Sequence, residues 1–370
     1  MTETTSKATE KNSTVPGATE RRAAQGVAAE SRHADEPLQV FDLHCDTIDT
    51  LALADTDVFA SVLATRPSGD MAANDLQLAA ERMRSTARWC QCYAAWIPDD
   101  ARAAGLTSHG LYRKVADYFL AQVGAHSNDI ARITDTRDID GQIAEGRVAA
   151  MLTVENGSPL EEGLGVLDEM VADGVRMITL TWNGQNCIGS GNDTHEGLSR
   201  YGRDVVRHME EARVVVDVSH LNDEGFSDFL ACSRRPFVAS HSNSRAICDN
   251  PRNLTDDEFR AICDREGLVG INYYRAFVSP RFQNDERAED VGEVTFEELA
   301  RHVEHFLDLG GEGVLALGSD FDGSDTPAWL ANDESLPGLF EQLCARFGEG
   351  LSRRIFFQNA HDFFLRNETA

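Results

Sequence analysis

The stretch Val40–Thr47, Val-Phe-Asp-Leu-His-Cys-Asp-Thr, decides how the rest of the chain is read. An apolar run with strand character ends in a histidine and an aspartate two residues apart. Side chains at i and i+2 of a strand share one face, so His44 and Asp46 can point together at one metal ion. Alone, the stretch reads first as a strand whose last polar residues merely face water. Four further strand-like runs change that reading. They end in Glu155, His220, His241 and Asp320, and each is followed by loop and then helix.

Working outward, the pattern of apolar residues predicts eight strands alternating with helices. The strands fall at about Leu38–His44, Trp89–Trp96, Arg147–Glu155, Val175–Thr181, Arg213–Ser219, Pro236–Ser240, Leu268–Tyr273 and Val314–Leu317. The fifth is nearly all valine at its centre, as a strand covered on both faces should be. Helical stretches include Leu76–Thr86, Ala101–Val123, Thr134–Glu145, Leu164–Ala172, Leu198–Ala212, Asn222–Leu230, Phe296–Leu309, Leu339–Phe347 and Arg353–Phe364. Thr255 followed by Glu258 has the form of a capping box. Residues 1–37 mix Thr, Ser, Ala, Glu, Lys, Gly and Pro without periodicity and read as a disordered leader.

Eight strand–helix units in residues 38–370, without an obvious break, fit a single closed (β/α)8 barrel of the TIM type. The runner-up is an open doubly wound sheet. The barrel is preferred because polar chemistry recurs at the carboxyl ends of strands one, three, five, six and eight. Only closure would bring those ends to one rim. No glycine fingerprint for a dinucleotide or phosphate loop is present.

Composition narrows the field further. With 42% hydrophobic residues among 370, the chain can fill one large core or two ordinary ones. A formal net charge of -28 repels nucleic acid and anionic lipid, which excludes both as expected partners. No segment has the form of a signal peptide and no run is long and apolar enough to span a bilayer. Eight scattered cysteines without zinc-finger spacing read as reduced thiols, so a soluble cytoplasmic protein is expected.

His44, Asp46, Glu155, His220 and His241 together suit two divalent ions, and imidazole with carboxylate matches zinc without selecting it absolutely. Glu155 is the natural anionic bridge between them. Such a pair lowers the pKa of a water and polarises a carbonyl oxygen, and Asp320 is placed to take the proton and pass it to a leaving nitrogen. Arg252, past strand six, can hold a substrate carboxylate in a bidentate pair, or make an ordinary surface salt bridge. Tyr273 and Tyr274 are candidates to line the same pocket, with one of them turned to the core. Cys45 should face away from the metals on a regular strand.

These residues resemble the membrane (renal) dipeptidases, zinc peptidases among the amidohydrolase-like barrels, over roughly residues 38–366. The marks are Asp42-Leu43-His44-Cys45-Asp46, Val154-Glu155-Asn156-Gly157, Asp217-Val218-Ser219-His220 and Ala239-Ser240-His241-Ser242-Asn243-Ser244. Asn250-Pro251-Arg252-Asn253 and Gly318-Ser319-Asp320-Phe321-Asp322-Gly323 complete the set. The resemblance implies two Zn2+ per chain, one held by His44, Asp46 and Glu155 and the other by Glu155, His220 and His241. It implies Asp320 as acid/base and Arg252 on the terminal carboxylate of a dipeptide, often with a D-residue tolerated at the C-terminal position. A soluble bacterial-type member is the better match. Homodimers are common in the family, though no feature of this sequence requires one.

One departure stands out. Where the family commonly has Leu-Thr-His after strand four, with the histidine on the substrate or developing oxyanion, this chain has Leu180-Thr181-Trp182-Asn183. Trp182 can donate one hydrogen bond but cannot become a cation. His195, further along the same loop, is the candidate to fold back in its place. Loss of an oxyanion donor costs on the order of 3 kcal/mol. Two rivals to a dipeptidase therefore stand: a related metallohydrolase of N-acyl amino acids or lactams, and a barrel that keeps its metal for binding alone.

Overall fold

The computed structural model describes residues 1–2, 37–54, 56, 66–101, 105–282 and 292–369. The leader expected over residues 1–37 lies almost wholly outside the described residues. From Leu38 onward the chain forms one compact unit.

Nine strands appear in chain order: β1 Gln39–Asp42, β2 Arg88–Trp96, β3 Ile130–Arg132, β4 Val148–Glu155, β5 Met177–Thr179, β6 Val215–Asp217, β7 Val238–Ala239, β8 Leu268–Ile271 and β9 Leu315–Leu317. All pairings between them are parallel. Because β2 also pairs with β4, and β1 with β9, eight strands close into a barrel in the order β1-β2-β4-β5-β6-β7-β8-β9. The ninth, β3, is an addition that the sequence pattern did not suggest. It is three residues long and lies outside the closed ring, paired only with β4.

Alternation along the strands divides the core in two. Phe41, Cys90, Met151, Met177, Val215 and Leu268 belong to one apolar cluster that draws on every barrel strand. Their sequence neighbours Val40, Trp89, Ala150, Leu152 and Val216 pack instead with the surrounding helices. The sheet separates these two cores, as period-2 geometry requires. The first cluster also takes Phe357, Ala360, Phe363 and Phe364 from the C-terminal segment. Phe364 stacks on Phe41 at 5.4 Å between ring centroids. That segment reaches from β1 and β9 toward Thr136–Asp138, so it closes the amino end of the barrel.

Toward the carboxyl end the same strand faces turn polar, with Thr153 and Glu155, Thr179, Asp217 and Ser240. Space there is tight. A Cβ at Gly270 would lie 1.8 Å from the Ser240 carbonyl oxygen, so the backbone itself fills that layer.

The predicted helices are present with shifted ends. The stretch read as Ala101–Val123 is helical over Ser108–Ala125, with Thr107 as its side-chain cap. The segment beginning near Leu76 turns helical only at Ala80. The capping box at Thr255 and Glu258 forms as its sequence suggests, before helix Asp256–Asp264. Among the described residues no helix is long and apolar enough to cross a membrane.

Candidate metal centre

β1 stops at Asp42, and Cys45 makes an isolated parallel bridge with Phe321 beyond β9. This folds His44 and Asp46 over the same spot, with His44 Nε2 3.3 Å from Asp46 Oδ2. Cys45 between them is buried and its thiol reaches the Cys92 carbonyl at 3.4 Å, away from the cluster.

Glu155, at the end of β4, faces two sets of groups with its two oxygens. Oε1 lies 2.8 Å from His220 Nε2 and 3.6 Å from His241 Nε2. Oε2 lies 3.7 Å from His44 Nε2. Asp320 Oδ1 stands 3.9 Å from that same His44 nitrogen. Two overlapping groups of potential ligands result: His44, Glu155 and His241, and His44, Asp46 and Asp320.

The hydrogen bonds around the histidines fix their tautomers. Asn183 Oδ1 can only accept, so at 2.8 Å it takes the proton of His220 Nδ1. Ser240 Oγ donates to Asp217 Oδ2 at 2.5 Å and therefore accepts from His241 Nδ1 at 2.8 Å. Both Nε2 atoms are left with lone pairs, and they face each other across 3.0 Å. Two acceptors at that distance, beside a carboxylate, call for a cation. His44 Nε2 and Asp46 Oδ1 are likewise buried with no hydrogen-bond partner. The donor set thus fits divalent metal on both sides of Glu155.

Electrostatics agree. Burial, with Arg252 and His44 adding to it, holds His220 well below the usual imidazole range and so neutral. His241 is lowered well below that range in the same way, by burial, His44 and Arg252. His44 goes the other way: burial pulls it down, but Asp46, Glu155 and Asp320 outweigh that and hold it well above. Burial, opposed by His44 and reinforced by Asp46 and Asp320, pushes Glu155 above the carboxylate range.

Asp320 follows β9 in a left-handed conformation, φ 61°, and His220 follows β6 at φ 69°. Such backbone is costly for non-glycine residues and gathers where a side chain must be re-aimed. Asp320 Oδ2 accepts from Asn272 Nδ2 at 3.0 Å. Burial first, then the Asp46 charge, push its pKa up to about 6 against the opposing His44.

Arg252 is buried, and its Nε and Nη2 have no partner. Its guanidinium lies over the Phe277 ring at 5.2 Å. Burial lowers its pKa to about 10, although Asp320 and Glu155 pull it up, so it stays charged at neutral pH. Among the described residues no salt bridge to Arg252 forms. The two tyrosines part company. Tyr273 is fully buried edge-on to Phe321, whereas half-buried Tyr274 packs edge-on to Phe277, the ring that carries the Arg252 guanidinium.

Trp182 is half-buried, edge-to-face with Trp96 at 5.0 Å and 6.2 Å from the His220 ring. His195 is exposed and does not join the cluster. Several supporting residues carried no sequence signal of their own. Asn183 lies in a loop read only as polar. Asp42 and Asp217 sit inside the quoted motifs, where nothing marked them as anchors. Asp42 accepts from Ser319 Oγ at 2.5 Å, as Asp217 does from Ser240. Asp322 is structural: it accepts from Thr47 Oγ1 at 2.5 Å and Gln77 N at 2.7 Å, tying the first and last rim loops together.

A closed parallel barrel with a buried histidine–carboxylate cluster on its carboxyl rim defines a metal-dependent hydrolase of the (β/α)8 type. The profile of the family described as membrane dipeptidase (peptidase family M19) matches residues 29–362, and the chain belongs to that family. It is a metal-dependent dipeptidase. An uncharacterized protein from the pqqA 5' region of Klebsiella pneumoniae is 36% identical over 236 residues, 61% of this chain and 84% of that protein. An uncharacterized dipeptidase of Schizosaccharomyces pombe is 32% identical over 205 residues, 54% of this chain and 48% of that one. A solved metallo peptidase from Rhodobacter sphaeroides, liganded with a phosphinate mimic of the dipeptide L-Ala-D-Ala, superposes with a TM-score of 0.77 at 25% identity. That likeness covers 90% of this chain and all of the other.

Proposed function

We propose that the enzyme hydrolyses dipeptides with two zinc ions, one held by His44, Asp46 and Glu155 and the other by Glu155, His220 and His241. The observation that carries this is the Glu155 carboxylate, whose oxygens face separate histidines at 2.8 Å and 3.7 Å. Bound divalent cations supply an acidified water and a polarised carbonyl. The chain's own residues do the rest. Arg252 offers Nε and Nη2 to the terminal carboxylate of the substrate and so fixes which amide lies over the cluster. Asp320, held by Asn272, takes a proton from the attacking water and returns it to the leaving nitrogen as the C–N bond breaks. Its Oδ1 lies 3.9 Å from His44 Nε2, beside the proposed metal position, where it can serve both transfers. Asn183 and Ser240 keep His220 and His241 in the tautomer that presents Nε2.

The L-Ala-D-Ala mimic on the Rhodobacter sphaeroides relative supports tolerance of a D-residue at the C-terminal position here. All eight cysteines are free, which suits a reducing, cytoplasmic setting. A second reading, hydrolysis of N-acyl amino acids or lactams, draws on Trp182 in the position where the family commonly has histidine. The test is hydrolysis of a mixed pool of L,L and L,D dipeptides, with metal counted on the same sample. About two zinc ions per chain and chelator-sensitive release of amino acids are expected. Two metals with an untouched dipeptide pool would transfer the case to the second reading, and no metal after reconstitution would end both.

A further inference from the structure

Two half-buried tryptophans, Trp96 and Trp182, meet beside the histidine–carboxylate cluster. Trp96 is the last residue of β2 and stands in direct register with Glu155 on β4. In a parallel pair, residues in register project to the same face, so Trp96 and Glu155 look into the mouth together. Trp182 comes three residues after Thr179, the end of β5, on the other side of β4. The rings meet edge-to-face, 5.0 Å apart with planes at 75°, and form a corner. One wall of that corner is 6.2 Å from the His220 ring.

Barrel order places this corner relative to Arg252. In the ring β1-β2-β4-β5-β6-β7-β8-β9, β4 and β8 are four strands apart, on opposite sides. The tryptophans flank β4. Arg252 follows β7, and its ring partner Phe277 follows β8. A dipeptide whose carboxylate is held by Arg252, with its amide over the cluster, extends its N-terminal residue toward β4.

We propose that the Trp96–Trp182 corner receives the side chain of the substrate's N-terminal residue and selects a large apolar or aromatic one. The inference rests on the dipeptidase reading and specifies its substrate class. Two indole faces at a right angle offer van der Waals area and an edge-to-face partner to an inserted ring. A glycine or alanine side chain is too short to use them. An acidic side chain gains nothing from two aromatic faces and meets a strongly negative protein.

The test compares kcat/KM for a Xaa-Ala series (Gly, Ala, Leu, Phe) and the mirrored Ala-Xaa series, using zinc-loaded wild type, W182A and W182F. Calorimetry with phosphinate dipeptide analogues bearing an N-terminal methyl or benzyl group runs in parallel. Wild type should favour Phe-Ala over Gly-Ala by about tenfold or more, from apolar burial and ring contact together. W182A should reduce that ratio to within about twofold, W182F should keep most of it, and the Ala-Phe to Ala-Gly ratio should be unmoved in all three. A flat wild-type series, or a preference that survives in W182A, overturns the proposal while leaving dipeptide hydrolysis standing. If dipeptides are not hydrolysed but the benzyl analogue binds more tightly and W182A abolishes the difference, hydrolysis falls and the subsite stands. Equal affinity for the two analogues removes the subsite.

Discussion

Arg252 should show opposite effects on stability and activity. Arg252 as a whole is 8% exposed, and its Nε and Nη2 have no acceptor. Burial brings its pKa from the ordinary guanidinium value down to about 10, despite the pull of Asp320 and Glu155. At roughly 1.4 kcal/mol per pH unit, this sets about 3 kcal/mol against the charged form in the folded state. Below about pH 10 both folded and unfolded chains carry the charge, so the whole penalty is present at neutral pH. Bound cations would add to it by repulsion. Arg252→Met should therefore stabilise the substrate-free enzyme, by up to about 3 kcal/mol in urea denaturation at pH 7.5. The same change removes one partner of a buried ion pair with substrate, worth about 2–5 kcal/mol, or about 30- to 4000-fold in kcat/KM for free dipeptides. Dipeptides amidated at the C-terminus lack the carboxylate and should lose little. Equal losses on free and amidated substrates would remove Arg252 from carboxylate binding, and a destabilised variant would show that its guanidinium is already paired.

Three other outcomes follow from the geometry. Asn183→Ala frees the His220 tautomer and should weaken metal binding about 10- to 100-fold in a competition titration with a chelating dye, with little effect on the circular dichroism spectrum. Gly323→Ala would set a Cβ 1.9 Å from Asp46 Oδ2, so the variant should fold but bind less metal per chain and lose most activity. His302 bonds Ser244 N and the Val278 carbonyl and is pushed down from 6.5 to about 4 by burial. Between those pH values the unfolded chain takes up a proton that the folded chain refuses. The stability advantage of wild type over His302→Gln, measured by denaturation, should hold above about pH 6.5 and shrink by about 3 kcal/mol as the pH falls to about 4.

The candidate cluster was legible because each member stands at or just past the end of a strongly apolar strand, and a barrel sends all such ends to one rim. His44 and Asp46 even kept their i, i+2 relation beyond the end of β1. What lay hidden depends on contacts distant in sequence. Gln77 and Asp322 are 245 residues apart, and only folding pairs them. Asn183 acquires its role from a histidine on the next strand's exit. The strand ends were overestimated for a related reason. β7 keeps two residues because Ser240 and Ser219 leave the ladder to bond Asp217 through side chain and backbone. Apolar patterning does not report that exchange. β3 is too short, at three residues, to show a period at all.

The two ends of the barrel are built on different terms. At the amino end Phe357, Phe363 and Phe364 fill the barrel floor, and apolar burial there is satisfied by the chain itself. At the carboxyl end local preferences are repeatedly overruled: left-handed backbone at His220 and Asp320, two imidazole lone pairs face to face, and buried nitrogens on His44 and Arg252 without partners. Each of these is unfavourable on its own, by about 1–3 kcal/mol for a strained backbone residue or an unsatisfied buried polar group. Their directions are not random, since the His44, His220 and His241 nitrogens converge on Glu155 while the Arg252 guanidinium is held over the Phe277 ring. A cation would answer the first set and a carboxylate the second. Both groups gather at the carboxyl end of the barrel, which is where the chemistry of this fold has room to occur.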